Sequence, residues 1–395
     1  MNRIPCVAKA SRPIVALTAL FLASSSMAFA QVPDRAAIAA AARSFMERSS
    51  APGLAIGVVT PDGAQVFSYG VASQETGAPV DERTLFEVGS ISKTLTVALA
   101  AVAVETGAMA WSDPPGRAMP ELRGSGLDQV SLLNLATHTT GGMPLQLPDA
   151  VTTEAALVAY FRGWVPPAPP GSVRTYANPS IGLLGLVTAR ALRGDFATLV
   201  HDRVSAPLGL RHTFHEVPQA EQRNYAQGYT RDGRPTRVSM APLATEAYGV
   251  RTTARDLLRF VEAHLGLVET GPVLRRALDS TQAGHFQAGP MTQALIWEWY
   301  PLPVSDEQLA VGNGDAMVLK PNPVTRLDPS QAPPAASLVT KTGATNGFGA
   351  YVAFVPGRRI GLVILANRNH PTPVRLDLAK QILASLGVEG VPGGR

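Results

Sequence analysis

Three short runs of residues combine types that could carry out nucleophilic chemistry. The first is Ser90-Ile91-Ser92-Lys93. Residues three apart on a helix share a face, so Lys93 would stand beside Ser90 if a helix starts here. A helix start supplies free N–H groups and partial positive charge, which favour an alkoxide-like oxygen. A serine hydroxyl is a weak nucleophile until a neighbouring base takes its proton, and a desolvated lysine can be that base. The second run is Tyr176-Ala177-Asn178. A tyrosine whose acidity is raised by nearby ammonium groups can accept a proton, and Asn178 could bind a carbonyl or hold a lysine. The third is Lys341-Thr342-Gly343, on an apolar strand candidate that starts at Ser337. Gly343 lets a ligand approach the backbone, and the exposed strand edge could hydrogen-bond an amide. The N–H of Ala344 would then pair with that of Ser90 as an oxyanion hole. Taken singly, each run also has an ordinary reading: a capped helix with a solvated lysine, a turn before a helix, and an edge-strand lysine that discourages aggregation.

Their order changes the weight. Ser-x-x-Lys, Tyr-x-Asn and Lys-Thr-Gly follow one another at separations of about 85 and about 165 residues. That layout resembles the serine penicillin-recognising enzymes, whose sister version carries Ser-Asp-Asn in the middle. With Tyr-Ala-Asn there, the chain resembles the class C β-lactamases. The resemblance spans nearly the whole chain after residue 30, through residues 86–94, 132–146, 170–185, 224–229, 246–250, 341–356 and 366–375. It implies that Ser90 is the acylated nucleophile and that Lys93 and Tyr176 share the proton transfers. It implies that Lys341 holds the tyrosine's charge state and the substrate carboxylate. Gln146 and Asn178 would hold the substrate's side-chain amide, Tyr248 would line a wall, and Asn369 and Arg375 would lie near the carboxylate. Thr342 and Gly343 would belong to the binding strand. The implied reaction is β-lactam hydrolysis of cephalosporins and penicillins, without metal or organic cofactor, by a monomer.

The sequence departs from the family's habits at His138 and Thr139, where Tyr-Thr is common, and at Thr340, Asn346 and Thr372, which are often His, Gly and Asn. These bear on the substrate spectrum. The nearest rivals are a D-alanyl-D-alanine peptidase or a carboxylesterase of the same fold, and a non-catalytic β-lactam sensor that stays acylated. The intact Lys341-Thr342-Gly343 and the Gln146 segment favour the lactamase. Glu246 is the acidic residue nearest to a deacylating glutamate of the class A kind, but its string Glu246-Ala247-Tyr248-Gly249 matches a class C wall segment.

The elements that must position these residues can be read from apolar patterning. Gly53–Thr60 and Ala64–Val71, separated by Pro61-Asp62-Gly63, read as a β-hairpin. Residues 349–355 and 360–366 repeat the pattern around Pro356-Gly357-Arg358-Arg359, and an amphipathic helix is expected over about 374–386. Strands at both ends of the chain, without βαβ alternation, predict one antiparallel sheet closed by the two termini, with the middle inserted. Helices are expected at 90–105, 132–137 and 181–192, and Pro321 to Pro334 is expected as a connector. The expected architecture is an α/β (α+β type) domain from residues 31–107 and 240–395, an antiparallel sheet flanked by helices, plus a mainly helical lobe from 108–239.

Composition narrows the setting. Residues 1–30 carry Arg3, Lys9 and Arg12, an apolar run from Ile14 to Ala23, and a small-residue stretch ending at Ala30. This is the layout of a secretory signal peptide cleaved after Ala30, and the run is too short for the ~20 residues of a membrane span. A periplasmic protein without a membrane anchor follows. Of the 34 basic and 30 acidic residues, the leader holds three basic and no acidic ones. The remainder is near neutral, which gives no reason to propose a nucleic-acid partner. The single cysteine, Cys6, leaves with the leader, so no disulfide, thiol nucleophile or thiolate metal site is expected. His212 and His215, the closest histidine pair, lack a third ligand nearby and are expected to play packing or surface roles. Only five lysines stand against 29 arginines. Lysine can lose its proton and arginine cannot, so Lys93 and Lys341 stand out.

Overall fold

The computed structural model describes residues 1–2 and 34–393; the expected leader lies outside the described residues apart from Met1 and Asn2. Nine strands form one antiparallel sheet: β1 (Gly53–Thr60), β2 (Gly63–Gly70), β3 (Gly284–Ala288), β4 (Met291–Ala294), β5 (Glu298–Pro301), β6 (Thr325–Gln331), β7 (Ser337–Ala344), β8 (Gly349–Val355) and β9 (Ile360–Ala366). Their order is β6-β3-β4-β5-β7-β8-β9-β1-β2. The two ends of the chain therefore meet in the sheet, with Leu54 opposite Ala366 and Val58 opposite Leu362. The hairpin β1–β2 turns tightly at Pro61-Asp62, and Gly63 takes φ +135°, which a side chain would resist.

Helices cover both faces of the sheet. They are α1 (Arg35–Ser49), α2 (Ser92–Glu105), α3 (Leu132–Ala136), α4 (Glu154–Gly163), α5 (Asn178–Leu192), α6 (Ala254–His264), α7 (Pro272–Thr281), α8 (Asp306–Gly312), α9 (Asp315–Leu319) and α10 (Thr372–Ser385), besides several single turns. Strand β1 is buried along its whole length, as a continuous apolar strand covered on both faces should be. Its Leu54, Ile56 and Val58 face Ile38 and Phe45 of α1 and Leu378 and Ile382 of α10. Its Ala55 and Val59 join the opposite cluster with Leu258 and Val261 of α6.

A third apolar cluster lies away from the sheet, among Val97, Leu135, Leu183 and Leu184. Helix α2 belongs to two cores at once. Leu95, Leu99 and Val102 pack on the sheet side, and Val97, Ala100 and Ala103 pack on the other. That explains why Ser92 to Ala103 are all buried and why the helix shows no polar stripe.

The structure corrects two expectations. Regular α-helix starts at Ser92, and Ser90 sits in the preceding 3₁₀ turn, Gly89–Ile91. The cause is Gly89, whose φ of +50° cannot continue a helix. The connector at 321–334 contains β6, an exposed strand on the sheet edge that tolerates Pro329 for that reason.

Candidate active site

Ser90 lies at the junction of the two cores, where the 3₁₀ turn packs on the end of β7. A Cβ on Gly343 would come within 2.0 Å of the Val88 carbonyl oxygen, and one on Gly89 within 2.4 Å of that of Ala344. Both glycines are thus required for this approach. Within one turn, Lys93 folds back so that Nζ donates to Ser90 Oγ at 3.1 Å, to Asn178 Oδ1 at 2.6 Å and to the Ala247 carbonyl at 2.8 Å. Three donors meet three acceptors, which is how an entirely buried ammonium is tolerated. Asn178 opens α5, where Pro179 favours a helix start. The single turn Ala244–Ala247 and the residues after it are stitched to α2 by Thr96 Oγ1 donating to the Glu246 carbonyl and by the Val250 N–H donating to Ser92 Oγ.

Tyr176 is buried beside Ser90, with three cations around its ring. Lys93 Nζ and Lys341 Nζ are each 5.2 Å from the ring centroid, and the Arg174 guanidinium is at 5.6 Å. Burial alone would raise the pKa of the hydroxyl. Lys341, Lys93 and the Ser90 hydroxyl outweigh it and bring the pKa down to about 8. Lys93 also falls to about 8, chiefly through burial, with Lys341 adding repulsion and Tyr176 opposing both. The His138 ring lies 4.3 Å from that of Tyr176. Its Nδ1 accepts from the Ala177 N–H at 3.3 Å. Burial first, then Arg174, Lys93 and Lys341, hold the imidazole well below its ordinary range, so it is neutral.

The strand side of the site rests on an ion pair absent from the sequence reading. Lys341 is buried on β7, with Nζ 3.9 Å from Glu298 Oε1 on β5. The same oxygen accepts from Arg174 Nη2 at 2.8 Å, while Arg174 also donates to Gln293 Oε1 and the Met317 carbonyl. Nothing in the local sequence signals Glu298, which is far from every motif. Arg174 stood inside a motif-bearing string without a role. The pairing becomes visible only when the sheet brings β5 beside β7.

Two adjoining cavities gather the residues singled out from the sequence. One, of about 260 Å³, is lined by Ser90, Tyr176, Asn178, Lys341, Thr342, Gly343, Ala344, Asn369 and Arg375. The other, of about 310 Å³, is lined by Gln146, Asn178 and Tyr248. Lys93 lies beneath both. Asn369 is occupied by its neighbours: Oδ1 accepts from Arg231 Nε at 2.7 Å and Nδ2 donates to the Thr345 carbonyl at 2.6 Å. Arg375 is buried and gives Nη1 to the carbonyls of Gly343 and Ala350 and Nη2 to that of His370. It braces the end of β7 from behind. Arg231, exposed and unmarked in the sequence, completes this end of the cleft. His212 and His215 lie elsewhere, the second with its ring against Phe196.

This arrangement has counterparts in known proteins. The beta-lactamase family model matches residues 38–386. A beta-lactamase of Lysobacter lactamgenus is 43% identical over 378 residues, covering 95% of this chain and 98% of that one. A solved class C beta lactamase from Rhodobacter sphaeroides superposes with a TM-score of 0.85 at 43% identity, over 88% of this chain and 98% of its own. The D-alanine carboxypeptidase AmpC from Burkholderia cenocepacia gives a TM-score of 0.85 at 46% identity, over 89% and 98%. With a family match over most of its length and relatives at this identity, the chain belongs to the beta-lactamase family.

Proposed function

We propose that this protein hydrolyses the β-lactam ring of cephalosporins and penicillins through an acyl-enzyme on Ser90. The observation that carries the reading is Lys93 Nζ at 3.1 Å from Ser90 Oγ, beside a tyrosine ring set between two ammonium groups. The Ser90 proton passes to the Tyr176–Lys93 pair as Oγ bonds to the lactam carbonyl carbon. The C–N bond then breaks and the nitrogen receives the proton. Charge on the carbonyl oxygen is met by the N–H groups of Ser90 and Ala344. Water, deprotonated by the same pair, adds to the ester and releases Ser90. Lys341 and Thr342 receive the substrate carboxylate, and Gln146, Asn178 and Tyr248 receive its acyl side chain. The reading includes export to the periplasm, with residues 1–30 removed.

A second reading has a specific support: the Burkholderia cenocepacia relative is named a D-alanine carboxypeptidase, and one from Pseudomonas syringae a beta-lactamase/D-alanine carboxypeptidase. Acyl transfer from a D-alanyl-D-alanine peptide uses the same groups, so the two differ in substrate rather than in chemistry.

The deciding experiment is steady-state hydrolysis of a chromogenic cephalosporin by the purified secreted protein, beside release of D-alanine from a D-alanyl-D-alanine peptide. Cephalosporin turnover that Ser90→Ala abolishes is expected, with an intact-mass N-terminus at Gln31. Peptide turnover without cephalosporin turnover would establish the second reading. A permanent adduct on Ser90 would make the protein a sensor.

A further inference from the structure

A cavity of about 550 Å³ opens behind the wall of the acyl-side-chain cavity. Met119, Leu157, Val158, Phe161 and Leu186 make it apolar. Pro242 and Leu243 line both this cavity and the one holding Gln146 and Tyr248. Leu243 is held at φ +66°, a conformation that a leucine adopts only when its surroundings impose it. Its side chain packs over Gly182 of α5, where an added Cβ would lie 2.6 Å from it.

One ionisable side chain reaches into this cavity from a buried position. Glu246 is 7% exposed, and its stem lies against Gly185 of α5. Among the described residues no side chain donates to its carboxyl; burial, opposed by its own backbone N–H and aided by repulsion from Asp195, lifts its pKa to about 7. A buried carboxyl without a cationic partner is costly. At the rim, Glu154 and Arg190 pair with each other at 2.9 Å, so their charges cancel. The cavity is therefore a half-open pocket of ligand size with a largely apolar wall, and its one unpaired carboxyl becomes negative as pH rises through about 7 or when a cation pairs with it.

We infer that this chamber is a binding site, separate from the nucleophile's cleft, for a hydrophobic monocation: an alkyl or aryl body carrying one ammonium group that pairs with Glu246. A cation is chosen because the rim is already neutral and an anion would meet Glu246. A single charge is chosen because Glu246 is the one lining carboxyl without a cationic partner among the described residues. The inference does not depend on which acyl substrate the cleft takes.

The test is isothermal titration of the purified mature protein with n-octylammonium chloride below its micellar concentration. Saturable one-to-one binding is expected, and n-octanol should bind at least tenfold more weakly and octanoate not at all. Glu246→Gln should weaken octylammonium at least tenfold, with melting temperature and cephalosporin turnover unchanged. Leu157→Trp, which fills the chamber, should abolish binding. Ser90→Ala should bind as wild type, which separates this site from the cleft. Octylammonium that fails to bind, binds Glu246→Gln undiminished, or is lost in Ser90→Ala overturns the inference. None of these results bears on whether Ser90 is the nucleophile.

Discussion

At the level of single residues, the proposed reaction rests on two proton carriers brought to equal affinity. Lys93 and Tyr176 ordinarily lose their protons near 10.5 and 10, yet both are brought to about 8. Groups this close titrate as a pair, and their matched affinities let a proton pass in either direction at little cost. The base form of the pair is scarce below pH 8 and fills as pH rises. The kcat/KM of the free enzyme should therefore climb with pH along a limb centred near 8, and a pH–rate profile checks this. Tyr176→Phe should lose that limb and slow turnover by about 100-fold or more, the usual size of an acid–base contribution. Glu246→Gln should leave turnover near wild type; if it blocks turnover and Tyr176→Phe does not, the proton-transfer assignment is wrong. The meeting of Ser90, Lys93 and Tyr176 was legible in the sequence because reactive side chains at these spacings mark them as a group. His138 was visible only as a departure. Its neutral ring against Tyr176 depends on burial first, then on three cations contributed by distant segments, with the turn held at φ +59°.

At the level of elements, the cleft is an agreement between the turn at Gly89–Ile91 and the end of β7. Gly343→Ala would push a methyl group into the Val88 carbonyl. Overpacking of this kind costs about 1–3 kcal/mol, and here the displacement falls on Ser90. Turnover should drop at least tenfold while circular dichroism stays native; unchanged kinetics would mean that the contact yields freely. Arg174→Ala should act on stability instead. It leaves Glu298 buried with only Lys341 at 3.9 Å, and breaking a buried pair costs about 3–5 kcal/mol, measurable by urea unfolding. The sequence disclosed the apolar strands β1, β8 and β9 at or within a residue of their bounds, because each is a continuous apolar run. It concealed β3, β4 and β5, whose Gln287, Thr292, Gln293 and Glu298 interrupt any apolar pattern. Those polar residues are tolerated because each finds a partner, as Gln293 does in Arg174 and Glu298 does in Arg174 and Lys341.

At the level of the whole molecule, stability rests on three apolar clusters joined through α2 and the sheet. The sequence holds a single cysteine, Cys6, so no disulfide within the chain is expected. The melting temperature of the purified protein should be the same with and without a thiol reductant, and a shift on reduction would place a disulfide where none is expected. The closure of the sheet by the two chain ends was legible from apolar runs at both termini. The width of the sheet was not, since its outer half is built of mixed-polarity strands. That closure also has a temporal consequence. The central pairing of β1 with β9 joins residues about 310 positions apart in the chain, and contacts so distant in sequence form slowly because a long loop must first be closed. Until Ile360–Ala366 is available, β1 has a partner only in β2. The centre of the sheet therefore cannot close until nearly the last residues have been made, a delay that suits the export proposed for this chain, since passage through a channel needs an unclosed sheet.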